Sequence, residues 1–262
     1  MSVNYRLRFA RREPAIWLGH LDLMRTFERT VRRAGLPVTW SQGYNPRPHL
    51  EFALPIGVGL ATQDDYVDIL MTEPLDESEL LERLNKSFPM GIQVLEVKIV
   101  PAEGPSLMSL IAASDYVLDG VGLAEAARRL LAVPEGQPWL VEKNSKGKLQ
   151  TVDIRPLLID LTILTDDQLL VRVKAGSRNN LRPDLLIKVL VSLGGLAEHA
   201  AADTAVTRQA LWIFAPAGND GQIGRPDHEK LSEHEKKPEH EKRPEGEKKL
   251  IRPLDLVVPP GP

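Results

Sequence analysis

The segment Ser41–Gly59, SQGYNPRPHLEFALPIGVG, gathers four side chains suited to handling nucleic acid in one stretch. Tyr44 offers a stacking face and Arg47 a planar fork for phosphate, while Asn45 and His49 supply hydrogen bonds to base edges. Pro46 and Pro48 hold the backbone extended or turning, and Gly43 frees it. The same residues also suit a plain turn whose polar groups satisfy their own backbone, and spacing alone leaves both readings open. A second candidate lies just upstream. His20–Ala34 has helical periodicity and ends at Gly35 and Pro37. Leu23, Met24, Phe27, Val31 and Ala34 share one face; Arg25, Arg29, Arg32 and Arg33 share the other, with only Glu28 nearby to offset them. This stripe is a candidate phosphate-binding face, set against the alternative of an ordinary solvated one.

Acid–base chemistry has fewer candidates. His20 and Asp22 open the helix, where an Asp more often caps the chain or answers the helix dipole. Asp64 and Asp65 are adjacent on a strand entry, so they point to opposite faces and share no site; a solvated turn is the expectation for them. Gly57-Val58-Gly59 lacks the third glycine and spaced acid of a dinucleotide fingerprint, and the chain holds no Walker A sequence or Gly-x-Ser-x-Gly elbow. Cysteine is absent, which excludes disulfides, thiol nucleophiles and iron–sulfur ligation from within the sequence. No metal site and no cofactor are expected.

The elements that must carry these residues read as two αβ blocks. In the first, Tyr5–Arg11 alternates as a strand and His20–Ala34 is the helix. Val38–Ser41 and His49–Leu54 are short strands, and Tyr66–Met71 is another. Asp76–Asn85 is a helix and Ile92–Val100 a strand. The order is that of a ferredoxin-like βαββαβ unit. Residues 106–218 repeat the design, with strands at Asp115–Leu118, Pro138–Glu142, Leu149–Asp153, Leu157–Leu164, Leu169–Val173 and Leu211–Phe214, and helices at Leu123–Leu131 and Pro183–Leu193. Asn45-Pro46-Arg47-Pro48 and Asn180-Leu181-Arg182-Pro183 echo each other, a hint of duplication. The fold expected is α+β: two ferredoxin-like halves, 1–105 and 106–218, in one globule. Residues 219–262 read as a charged, disordered tail holding a six-residue HEKxxE period, with His228, His234 and His240 too widely spaced to share a helical face. Its ending, LIRPLDLVVPPGP, is apolar enough to dock back or onto a partner.

Over 262 residues, 42% hydrophobic and 26% charged, the composition is that of a globular protein. The net charge of −3 hides an asymmetry: residues 1–50 carry nine Arg against three acids, and residues 51–100 carry three bases against ten acids. A pI near 6.1 argues against a general DNA-coating protein, yet leaves room for a local basic face. Arg without Lys in that face suits phosphate forks and base stacking, though a codon bias toward Arg explains the same choice. The N-terminus has no apolar signal region, and no apolar run approaches a membrane span, so a cytoplasmic protein that contacts no membrane is expected.

The helix HLDLMRTFERTVRRAG, the segment GYNPRPHLEFALPIGVG and the later DIRPLL of Asp153–Leu158 together resemble the radical-SAM-linked family of unknown function. In that family the domain stands alone or follows a B12-binding radical SAM module, and the resemblance spans most of residues 3–214. It implies a place in RNA or ribosome metabolism, since the family's genes commonly adjoin those for an RNase E/G-type nuclease and ribosomal proteins. It also implies a fold similar to the core of pseudouridine synthases. The expectation is therefore an RNA-binding protein acting on ribosomal or transfer RNA. In it, Arg25, Arg29, Arg32 and Arg33 engage phosphates while Tyr44, Asn45, Arg47 and His49 read or stack a base. The alternatives are an RNA-modifying enzyme of pseudouridine-synthase type using Asp22 or Asp65, and an adaptor for a separate radical SAM enzyme.

Overall fold

Alternation of Tyr5, Leu7 and Phe9 with Arg6 and Arg8 builds strand β1 (Val3–Arg11), with the apolar set fully buried. A computed structural model describes residues 2–145, 147–177, 179–215 and 249–256. Helix α1 (His20–Arg33) follows, then the short strand β2 (Leu50–Phe52) and the long β3 (Ala61–Met71). Helix α2 (Glu77–Ser87) is capped by the Asp76 carboxylate, which accepts from the Ser78 and Glu79 amides, and β4 (Ile92–Val100) closes the half. The strands lie in the order β4-β1-β3-β2, all neighbours antiparallel. This is the ferredoxin-like order.

A four-residue helix, α3 (Leu107–Leu110), leads into the second half. There β5 (Ile111–Asp119) and α4 (Leu123–Leu131) come first, then an inserted hairpin of β6 (Leu140–Ser145) and β7 (Lys148–Asp153) that forms its own two-stranded sheet. Next come β8 (Leu158–Thr165), β9 (Gln168–Lys174), α5 (Pro183–Ser192), α6 (Glu198–Asp203) and β10 (Ala205–Phe214). With the hairpin set aside, the order β10-β5-β9-β8 repeats that of the first half. The Asn-x-Arg-Pro echo does not track this repeat. Its first copy precedes β2 and its second precedes α5, so the two occupy different places in the two halves.

The halves fuse into one mixed sheet. The start of β3 pairs in parallel with β10 at Ala61↔Thr207 and Thr62↔Arg208, while the end of β3 holds β2. Each half has its own core between sheet and helices, and Leu60 packs against both. A third apolar cluster, including Leu54, Tyr66, Leu211 and Ile213, lies apart from these two. It is completed by residues the sequence assigns to the tail: Leu250–Ile251 form β11 against β10, and Ile251 and Leu254 are buried there. The apolar end thus docks back onto the sheet. The HEKxxE repeats, with His228, His234 and His240, lie outside the described residues. No helix of the described residues is long and apolar enough to cross a membrane.

Candidate nucleic-acid interface

Helix α1 is placed by its inward face. Phe27 sits edge-on to Phe9, Phe52 and Phe88 at centroid distances of 5.0, 5.1 and 4.7 Å, with Leu23, Thr30 and Val31 buried beside it. That packing sets Arg25, Arg29, Arg32 and Arg33 outward, all exposed. Arg32 and Arg33 fall in the last turn, where the helix dipole favours cations. Their partners differ. Arg25 pairs with Asp22 at 3.1 Å, Arg33 donates to the Ser87 carbonyl at 3.1 Å, and Arg32 stacks over the Trp40 ring at 4.8 Å. Arg29 has no partner among the described residues. Asp22 is accordingly an exposed first-turn acid engaged with Arg25.

The loop after α1 closes on itself. The Ser41 amide donates to Arg47 O at 2.8 Å, the Arg47 amide donates to Ser41 Oγ at 3.0 Å, and Trp40 bridges to Pro48. Tyr44 and Asn45 stand exposed at its tip, Tyr44 completely so. Arg47 turns back to Glu28 of α1 at 3.8 Å. Through Arg32–Trp40 and Arg47–Glu28 the helix stripe and the loop form one continuous surface. His49 does not join it. With Glu51, Asn4 and Asp68 it lines a separate 220 Å³ depression.

A larger cleft opens at the other end of α1, where the two halves meet. Its volume is about 610 Å³. Trp17 and the loop Pro55–Leu60 form one side, and Tyr116, Arg182, Ile187 and Arg208 come from the second half. Two buried arginines hold that loop. Arg11 donates to the carbonyls of Leu18, Gly57 and Leu60 at 3.0, 2.6 and 2.7 Å; Arg208 donates to those of Leu54 and Pro55, both at 3.3 Å. Arg208 also donates to Asp65 Oδ2 at 3.0 Å and to the Tyr116 hydroxyl at 3.4 Å. Asp65 is therefore no solvated turn residue. It is 2% exposed, its other oxygen accepts from the Tyr66 amide, and burial pushes its carboxyl up to about 6 despite Arg208. Arg11 is lowered to about 10, chiefly by burial.

Asp64 and Asp68 are buried as well. Asp64 accepts from the Tyr66 hydroxyl at 2.7 Å and from the Leu211 amide at 3.2 Å, and burial raises its carboxyl. Asp68 takes a bidentate pair from Arg6 at 2.8 Å. Alternation along β3 separates Asp64 from Asp65 as the strand period requires, but both face protein and not water. Sequence reasoning missed Arg11, Tyr116 and Arg208. Arg11 and Tyr116 read as ordinary strand residues, Arg208 lies outside the strand expected at Leu211–Phe214, and the Asp65–Arg208 partnership spans 143 positions.

Over residues 4–183 the sequence matches the profile of a family described as an uncharacterized protein conserved in bacteria, DUF2344. The chain belongs to this family. The DUF2344 match takes in α1, the exposed loop, the Pro55–Leu60 wall and Asp65, and ends at the first residue of α5, before Arg208. No curated protein matches the chain.

Proposed function

We propose that this DUF2344 protein binds RNA, in ribosomal or transfer RNA metabolism, through the surface formed by α1 and the loop 41–48. The observation that carries the reading is the joining of an Arg-rich helix face to a loop whose Tyr44 ring is wholly exposed. Phosphate forks beside a free aromatic face are the combination by which single-stranded and looped RNA is held. Arg32 stacked on Trp40 keeps its guanidinium at the surface in a fixed orientation, which lowers the entropic cost of meeting a phosphate. The assignment to ribosomal or transfer RNA rests on the family resemblance, as does an adaptor role toward a radical SAM enzyme. Catalysis at Asp22 or Asp65 has less support, because the first is engaged with Arg25 at the surface and the second with Arg208 in the interior.

The test is a salt titration of binding to total transfer RNA and to ribosomal RNA fragments. The triple variant Arg25→Glu/Arg29→Glu/Arg32→Glu weakens binding. Every phosphate that goes unpaired in the variant reduces the log–log salt slope by roughly 0.7 to 0.9. Equal affinity and slope in variant and wild type would overturn the reading.

A further inference from the structure

We infer that the bound RNA runs the length of α1 as a single strand held at both ends. Tyr44 stacks one base at the loop end, and Trp17 stacks another at the opposite end without choosing which base it is. This rests on the RNA-binding reading above and adds the path of the strand, a second stacking platform and a minimum length.

Three observations carry it. The first is an aromatic ring left bare on a fixed backbone. Trp17 is 63% exposed, at the end of a turn whose Ala15 and Ile16 are buried. The Gly59 amide donates to Ile16 O at 2.8 Å, and Arg11 donates to Leu18 O at 3.0 Å and to Gly57 O at 2.6 Å. The backbone on either side of the indole is therefore tied down before any ligand arrives, and a base stacks on such a ring at little ordering cost.

The second is continuity with the Arg stripe. An added Cβ at Gly59 would lie 3.7 Å from the Trp17 ring, and one at Gly19 would lie 4.0 Å from Val58 and 3.8 Å from Asp22 Oδ2. Asp22 in turn pairs with Arg25. Trp17, the corner at Val58 and Gly59, and the first Arg of the stripe are thus successive neighbours. Leu21, 65% exposed, stands on the helix face of Arg25, Arg29 and Arg32, at spacings of four, four and three.

The third is charge. The four guanidiniums of the stripe and that of Arg47 face two carboxylates, Asp22 and Glu28. An excess of positive charge between two exposed aromatic rings fits a phosphate backbone whose bases turn onto the rings. The cleft behind Trp17 adds no selection. Arg182 and Asp184 pair there at 2.7 Å, and Asn180 and Thr204 accept as well as donate. Stacking, which is indifferent to the edge of the base, is the interaction that Trp17 supplies. From Leu21 to Arg32 the helix advances about 16 Å, the length of about five stacked nucleotides, so a trimer reaches one ring and a longer strand reaches both.

The experiment measures fluorescence anisotropy of end-labelled oligouridylate and oligoadenylate, three and twelve nucleotides long. The proteins are wild type, Trp17→Ala, Trp17→Phe, Tyr44→Ala and the triple Arg→Glu variant. Trp17 is exposed, so its replacement leaves the core intact. On the twelve-mers Trp17→Ala and Tyr44→Ala each bind about tenfold more weakly, for both bases alike, and Trp17→Phe retains most of the affinity. The salt slope of Trp17→Ala stays that of wild type because no phosphate contact is lost. On the trimers Trp17→Ala changes little, since the trimer still occupies the Tyr44 end. If Trp17→Ala binds the twelve-mers as wild type does while the Arg→Glu variant is impaired, the path to Trp17 falls and the interface stands. The path also falls if Trp17→Ala loses as much on the trimers as on the twelve-mers. It falls again if Trp17→Ala turns a dimer into a monomer in size-exclusion chromatography with RNA affinity unchanged, which makes Trp17, Leu21 and Val58 a contact between copies. If the Arg→Glu variant is unimpaired while Trp17→Ala is weakened, the interface falls and the stack at Trp17 stands. If wild type binds no oligomer, both are overturned.

Discussion

Arg208 and Asp65 come from different halves, are almost wholly enclosed, and hold each other at 3.0 Å. A buried pair of this kind is strongly destabilised when one member is removed, because the other is left charged and unpaired. Its titration has a definite sign. Asp65 is held above its ordinary value, near 6, mainly by burial. The folded protein therefore takes up this proton before the unfolded chain does. The resulting stability is fully present below about pH 4 and is lost as pH rises through about 6. In urea denaturation, wild type gains roughly 2 kcal/mol relative to Asp65→Asn on going from pH 6.5 to pH 4. Parallel stability–pH curves for the two proteins would contradict this. The exposed Arg side chains of α1 are legible in the sequence because an amphipathic helix declares its outer face by period alone. The cleft is not. Arg11 and Arg208 gain their meaning from carbonyls and a carboxylate far along the chain, and no local pattern marks an arginine that will be buried.

Among the elements, helices α1, α4 and α5 and strand β4 lie where periodicity places them, since each repeats its apolar spacing over two or more turns or a full alternation. β3 and β10 are longer than their patterns suggest. Four of the five extra residues of β3, ATQDD, are polar, and they enter the sheet because β10 pairs beside them and Arg208 and Tyr66 satisfy the two carboxylates. Val38–Ser41 fails as a strand for the opposite reason: Val38 and Trp40 make only isolated bridges, to Met71 and Pro48. Helix α1 depends on one aromatic. Phe27 meets three rings, so Phe27→Ala leaves a cavity that α1 cannot close without moving its Arg face. The expected loss is about 3–5 kcal/mol in urea denaturation. A loss under about 1 kcal/mol would mean that α1 is held elsewhere.

At the level of the whole molecule, the α+β class and the paired ferredoxin-like halves follow from the element order. What the order does not reveal is the seam, where two parallel residue pairs and one ion pair join the halves. The third apolar cluster is hidden too, because its last members arrive only after the HEKxxE repeats. Removing residues 249–262 strips Ile251 and Leu254 from that cluster and leaves Arg6 without the Pro253 carbonyl it donates to at 2.9 Å. About 3–6 kcal/mol of stability is expected to go with them. Excising residues 228–247, repeats only, is expected to leave stability within about 0.5 kcal/mol in the same assay. Equal losses from the two deletions would refute the distinction.

The bond from the Ala215 amide to the Lys249 carbonyl, at 2.7 Å, has a consequence for how this gene can change over time. It fastens the chain at the points where it leaves the sheet and returns. Lengthening a closure between two fixed points costs only about 0.6 kcal/mol per doubling. Insertion or deletion of whole six-residue units between these two points is therefore expected to leave the pairing of β10 and β11 in place. Both ends of the stretch that carries the repeats are fastened at the same strand, β10.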